Sequence, residues 1–427
     1  MKPAIRTSVI AACVGIATLI SVPAHAEPGR LDHFFSSDGR QTAFASGGSG
    51  YAVTLDDQQR VVVAGYTLGH NTNIALVRLL PNGTFDPDFG GGDGRVVTDL
   101  GATDYGFDVA IHPDGGIVVA GERVSGSGSR VAVLRYGPKG RLDKDFGGGD
   151  GVVLTSFGKK TQGASAVVVG ASGNITIGGY TSNGTTSRFA LARYGPRGVL
   201  DKDFGRKGLV TTDLTPAGEG IKDMVIVDGG KIAVVGFAEV GLIPQFAVAR
   251  YLVRGGLDRT FGTRKGYSIS DLSKGPDTAY GITEGPDGQL LTCGLAGNRQ
   301  RNDWGLVRYG AKGRLDQSFS GNGKAIVNMG KGFGSAYGCA TLRSGKSIVV
   351  GRGRRTGKGE EFAVARLKVN GGLDGTFGKQ GRAYADFFDG NDTARDVVLQ
   401  SNGKIVVVGD ATERRVIRIG MARFING

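Results

Sequence analysis

Arg130-Val131-Ala132-Val133-Leu134-Arg135-Tyr136-Gly137-Pro138-Lys139-Gly140-Arg141-Leu142-Asp143-Lys144-Asp145-Phe146-Gly147 is the stretch on which the reading of the whole chain turns. Its first part is a short Val-rich run, a strand by composition. Its second part is a Gly- and Pro-bearing connection that closes on Leu-Asp-x-x-Phe-Gly. The same element returns around Asp32, Asp86, Asp143, Asp201, Asp258, Asp316 and Asp374, spaced 54, 57, 58, 57, 58 and 58 residues apart. A second marker keeps that step. An apolar run ends in Gly65, Gly121, Gly179, Gly236, Gly294, Gly351 and Gly409. Two independent markers at one period define seven copies of a structural repeat.

Each copy reads as four short strands. In the second these are 105–112 (strand a), a Pro113-Asp114-Gly115 turn, 116–123 (b), 130–136 (c) and, after the Leu-Asp-x-x-Phe-Gly connection, 151–157 (d). The runs are Val- and Ile-rich and bounded by Gly, Asp, Asn and Pro, and no window carries a helical period. The chain is therefore expected to be all-β: a seven-bladed β-propeller with four antiparallel strands per blade. Its ends argue for a closed ring over an open solenoid. The chain finishes on a strand c, 419–424, and opens with a connection and a strand d, 40–45. These are complementary pieces of one blade, so the N-terminal strand should complete the last blade, within a single domain spanning 27–427.

The Asp-Gly-x-Ile-Val-Val-x-Gly and Ala-x-Ala-Arg-Tyr segments, followed by Gly-x-Leu-Asp-x-x-Phe-Gly, resemble the bacterial delta-60 repeat, with a strand rhythm similar to NHL-type propellers. The resemblance covers nearly all of the chain after residue 26. It implies a propeller and an exported protein, and it names no activity. Phe85 in place of Leu, and Ser36 and Ser320 in place of the Gly after Phe, depart from the pattern.

Composition narrows the function classes. Gly supplies 77 of 427 residues without the three-residue period of collagen, and 40% hydrophobic content suffices for a core. Lys2 and Arg6, the apolar run 8–22 and Ala24-His25-Ala26 make a signal peptide cleaved after Ala26, so a secreted or periplasmic protein is expected. Membrane insertion is not, because no later apolar run is long enough. The formal charge of +13 favours anionic partners. Beyond the leader only Cys293 and Cys339 remain, on neighbouring blades. Two readings stand: an inter-blade disulfide, or two small buried hydrophobes.

The repeated polar residues read as scaffold. Strand c carries an arginine eight residues before each connection aspartate, giving Arg135–Asp143, Arg193–Asp201, Arg250–Asp258, Arg308–Asp316 and Arg366–Asp374, and Arg423 should meet Asp32 on closure. Seven equivalent pairs around an axis are staples, not active sites. Asp86, Asp88 and Asp93, and likewise Asp143, Asp145 and Asp150, cluster near Gly turns, an oxygen-rich pattern that could take Ca²⁺ or simply cap turns. No other cofactor is suggested, since the histidines lack metal spacing and there is no phosphate loop or nucleophile elbow.

Function should sit where the copies differ. The b–c and d–a connections share one face of a propeller and vary most here. The b–c loops of blades 5 to 7 carry Arg299, Arg301, Arg352, Arg354, Arg355, Lys358, Arg414, Arg415 and Arg418 against four carboxylates. The leading expectation is a non-catalytic binding or scaffold propeller, a monomer, presenting this basic rim to an anionic polysaccharide, an envelope polymer or a protein. Sequence-specific nucleic-acid binding is not expected, because aromatic residues are sparse among those charges. The alternative places the site on the axis. Thirteen residues before each marker glycine stand Ala52, Asp108, Ala166, Asp223, Gly281, Gly338 and Asp396. If strand a lines the channel, Asp108, Asp223 and Asp396 could serve a carbohydrate hydrolase or lyase, which needs two carboxylates within ~10 Å, or they could cap backbone amides.

Overall fold

The computed structural model describes residues 27–126, 128–297, 302–330 and 334–427. The expected leader (1–26), Arg299 and Arg301 lie outside the described residues. Seven sheets of four antiparallel strands follow one another around an axis, six of them in simple chain order. Blades 1 to 6 span 48–98, 103–155, 161–212, 219–270, 277–327 and 335–385. The seventh combines Thr393–Leu399, Ile405–Glu413 and Val416–Phe424 with Arg40–Ala43 as its outer strand, Arg40 lying opposite Ala422 and Ala43 opposite Ile419. The ring therefore closes on the N-terminal strand. The strands of the second blade, Thr103–Ile111, Ile117–Ser125, Gly128–Tyr136 and Val152–Thr155, match the sequence reading to within three residues.

Strand a of each blade touches strand a of both neighbours, so seven of them line the channel. Each carries a β-bulge at one place: the register skips a residue after Gly50, Gly106, Ala164, Ile221, Ala279, Ala336 and Ala394. The residue before the skip pairs with a marker glycine, Gly50 with Gly65 and Ile221 with Gly236 among them. The bulge presses the strand-a backbone against strand b. A Cβ at Gly65 would run into the Ser49 carbonyl, and one at Gly236 into that of Gly220. The marker glycine is thus a close-approach residue.

Blade-to-blade packing uses the other repeated residues. Phe35, Phe89, Phe146, Phe204, Phe261, Phe319 and Phe377 are all buried between blades. In six blades the strand-c guanidinium lies over such a ring, from 4.2 Å at Arg193–Phe204 to 5.0 Å at Arg366–Phe377. The arginine also ties its aspartate to the next blade. Arg250 Nε donates to Asp258 Oδ2 at 2.9 Å and Nη1 to the Ala311 carbonyl at 2.6 Å. Arg308 does the same with Asp316 at 2.8 Å and Val369 O at 2.5 Å, and Arg366 pairs with Asp374 at 2.9 Å.

Two blades modify the staple. Arg193 Nε donates to Thr176 Oγ1 at 3.1 Å, and Asp201 acts on it only as a nearby charge. Thr176 sits opposite Arg193 in the ladder, where the other blades hold apolar residues, so its hydroxyl captures the donor first. Arg135 keeps its bond to Asp143, but it also reaches Asp114, which His112 approaches at 2.7 Å. That second carboxylate draws Arg135 off the Phe146 ring.

A candidate ligand site at the channel mouth

The three axial aspartates follow directly from the bulges. Asp108, Asp223 and Asp396 are the first residues after the skip in blades 2, 4 and 7, and each keeps part of its surface in the channel. In each, Oδ1 accepts the N–H of the next residue: Val109 at 2.8 Å, Met224 at 2.7 Å and Val397 at 2.7 Å. Each Oδ2 accepts an N–H from the following blade: Val167 at 2.6 Å, Ile282 at 2.8 Å and Val53 at 2.8 Å. Ala166, Gly281 and Ala52 precede those amides, so every axial aspartate leans on a blade with no carboxylate of its own. Burial is the main force pushing the carboxyls above the ordinary range, to about 6 at Asp223 and about 7 at Asp396. At Asp108 the charges of Asp223 and Asp396 add to it. This is amide capping between blades. It leaves all three carboxylates engaged with the backbone, and the geometry lends no support to acid–base roles for them.

The residue inside each bulge, one position earlier, points to the site. These are Tyr51, Phe107, Ser165, Lys222, Tyr280, Tyr337 and Arg395, fourteen residues before their marker glycines. With Glu122 and Tyr180 from strand b they line a cavity of about 280 Å³. Glu122 and Tyr180 follow their marker glycines toward the b–c loops, so the cavity opens on the variable-loop face.

Aromatic rings form much of its wall. Tyr51 meets Phe107 edge-on at 5.1 Å, and Tyr280 lies 5.1 Å from Tyr337. Arg395 lies between two of them, 4.4 Å from the centre of Tyr51 and 5.7 Å from that of Tyr337, while Nε and Nη2 donate to Asp410 Oδ2 at 3.0 and 2.6 Å. Burial lowers the pKa of Lys222, against the opposing pull of Glu122. Burial and then Glu122, its hydrogen-bond partner, push the Tyr180 hydroxyl up to about 12. The cavity thus offers ring faces, hydroxyls, two cations and the Glu122 carboxylate, which is bonded to Tyr180, the usual make-up of a site that orients a partly apolar ligand with a few polar contacts.

The basic rim has a different character in three dimensions. Arg352 pairs with Glu360 at 3.2 Å, Lys358 with Asp389 at 2.6 Å and Asp386 at 3.3 Å, Arg355 with the buried Glu361, and Arg418 with Glu413. Arg354 donates Nε to the Lys358 carbonyl. Arg414 and Arg415 are exposed at a hairpin tip, both with positive φ. Two of the neutralising carboxylates, Asp386 and Asp389, come from a d–a connection, which is why the b–c loops alone look so basic.

The oxygen-rich turns are turn caps. Asp86, Asp143 and Asp150 accept the amides of Asp88, Asp145 and Val152 at 2.9, 3.0 and 2.9 Å, and Asp93 that of Arg95 at 3.0 Å. Among the described residues no three His, Cys, Asp or Glu side chains gather to hold a metal. Cys293 and Cys339 are both buried and unlinked, their side chains in contact across blades 5 and 6. No described helix is long and apolar enough to cross a membrane.

Comparison with known proteins agrees with this architecture. The family described as "Domain of unknown function (DUF5122) beta-propeller" matches residues 60–89, 112–146, 170–204, 285–319 and 400–424. The chain is a propeller repeat protein, and these matches contain five of its seven copies of the connection or of strand c. No curated protein matches it in sequence. Among solved structures, an inactive variant of virginiamycin B lyase from Staphylococcus aureus, solved with quinupristin, is similar with 12% identity and a TM-score of 0.52, covering 90% of this chain and 97% of that one. The polysaccharide lyase Uly1 is similar with 12% identity and a TM-score of 0.52, covering 90% and 91%. At this identity the likeness is one of fold.

Proposed function

We propose that this chain is an exported, non-catalytic binding propeller whose ligand seat is the axial cavity, and that the ligand is the end of a glycan. The observation that carries this reading is the set of bulge residues: seven equivalent backbone positions place Tyr51, Phe107, Tyr280 and Tyr337 beside Lys222 and Arg395. Aromatic faces stack on the apolar faces of sugar rings, while hydroxyls and cations take the sugar's polar groups. The volume of about 280 Å³ holds one or two sugar units, so a polymer would be gripped by its end. An exported setting is supported by the basic and apolar leader. The rim contributes solubility, because most of its described cations are already paired at the surface, where such pairs add ~0–1 kcal/mol.

Calorimetric titration with a panel of neutral and acidic oligosaccharides tests the assignment. Tyr337→Ala should abolish binding, while a variant with Arg354, Arg355, Arg414 and Arg415 all changed to Gln should bind as the parent does. The reverse pattern would move the site to the rim.

A further inference from the structure

We infer that the cavity is built for an acidic sugar, with Lys222 receiving its carboxylate; this rests on the axial-cavity reading above. Two donors in the cavity have protons with nothing to donate to. Among the described residues the Lys222 ammonium makes no hydrogen bond. Its neighbours are the Phe237 ring, 5.9 Å from Nζ, and the charge of Glu122. Glu122 is hydrogen-bonded to the Tyr180 hydroxyl, so it steadies the lysine through space without satisfying its protons. An ammonium in a tyrosine-lined cavity with no acceptor is costly, and an ionised acceptor relieves that cost far better than a hydroxyl.

Arg395 completes the arrangement. Asp410 engages Nε and Nη2, fixing the guanidinium plane over Tyr51, while Nη1 makes no hydrogen bond among the described residues. Lys222 belongs to blade 4 and Arg395 to blade 7, so the two cations approach from different sides of the axis. A bare inorganic anion would satisfy them and leave the four aromatic rings facing solvent. A neutral sugar would cover the rings and offer the ammonium only hydroxyl and ether oxygens. A ring bearing a carboxylate does both.

The floor limits how deep the acid can sit. Asp108, Asp223 and Asp396 lie one residue further down each strand, so an anion is held at the mouth and does not enter the channel. Burial pushes the carboxyls of Asp223 and Asp396 up to about 6 and about 7, so they carry less than their formal charge near neutral pH and repel the ligand less than three free carboxylates would.

The test compares trigalacturonate with its methyl ester, which removes the charge and adds a methyl group at each carboxyl, by calorimetry at about 0.15 M salt. Parent protein should bind the acid about tenfold or more tightly than the ester, a difference of ~1.4 kcal/mol. Lys222→Met should erase that preference by weakening the acid far more than the ester, and Lys222→Arg should retain it, which separates loss of charge from loss of fold. Equal affinity for acid and ester in the parent, or a preference that survives in Lys222→Met, overturns this inference and leaves the glycan-end reading standing. Failure of both sugars to bind the parent overturns both.

Discussion

Arg423 Nε donates to Asp32 Oδ2 at 2.7 Å across 391 residues of sequence, and both side chains are buried. Lys404 adds a second cation to the same oxygen at 2.6 Å. The pair joins the C-terminal strand to the N-terminal connection at the seam of the ring. Removing one partner strands the other's charge in a poorly hydrated place, which costs ~3–5 kcal/mol. Asp32→Asn should lower the stability read from urea unfolding by an amount of that order, and Arg423→Met by less, because Lys404 still pairs the carboxylate. The exposed pair Arg30–Glu27, at 2.9 Å, provides the control: Glu27→Gln should change stability by less than ~0.5 kcal/mol.

Gly236 has ordinary φ, so its requirement is for space and not for backbone freedom. Gly236→Ala should force the bulge off its partner and destabilise the protein by ~1–3 kcal/mol or more. Gly256, exposed and with nothing within 4 Å of a Cβ, should accept alanine without loss. Thermal unfolding of the two variants side by side checks the claim.

Stability should pass through a maximum in mildly acid solution. The axial carboxyls are raised, to about 6 at Asp223 and about 7 at Asp396, so the native chain holds protons there that the unfolded chain has released. Their contribution is complete below about pH 4 and is lost as pH rises through 6 and 7. Asp258 and Asp374 behave oppositely. Burial alone would raise them, but at Asp258 the Thr260 and Lys231 hydrogen bonds outweigh it, and at Asp374 those of Lys346 and Thr376 do, so both sit below the usual range. Their contribution is present above about pH 4 and disappears on further acidification. Urea midpoints at pH 8, 6.5, 5 and 3 should rise and then fall, and Asp396→Ala should flatten the upper limb.

Cys293 and Cys339 should resist thiol reagents. The Cys339 thiol is pushed well above the usual value, first by its hydrogen bond with Cys293 and then by burial, so neither a reactive thiolate nor access is available. Both should react with Ellman's reagent after denaturation and neither before it. A denatured protein in which neither reacts would carry the bond between blades 5 and 6.

The fold was legible because its determinants are identical in every copy. Leu-Asp-x-x-Phe and the marker glycine repeat because each blade must solve the same packing problem, and the end fragments told how the ring closes. The site was harder to read for the opposite reason. Tyr51, Ser165, Lys222 and Arg395 share a backbone position and no chemistry, so a search for repetition passes over them. Counting one residue nearer the N-terminus than the axial aspartates would have found them, but only the bulge shows that this residue faces the cavity. Thr176 shows the same limit in the scaffold: one hydroxyl opposite Arg193 was enough to take the bond expected for Asp201. The b–c loops look more basic in sequence than the rim is in space, because the partners of Lys358 lie about 30 residues away in another connection.

The seam between Arg40–Ala43 and Val416–Phe424 also sets an order of events in biosynthesis. Arg40–Ala43 has no strand to pair with until Val416–Phe424 has been made. Phe35 and Ser36 can already dock on blade 1, but Arg40–Ala43 stays without a strand partner while six blades assemble, and the final blade cannot form before Phe424 is available. Until that moment the ring has two open edges, each a template for another chain. A delay at the end of synthesis is therefore the stage at which this protein is most exposed to proteolysis and to exchanging its terminal strand with a second copy.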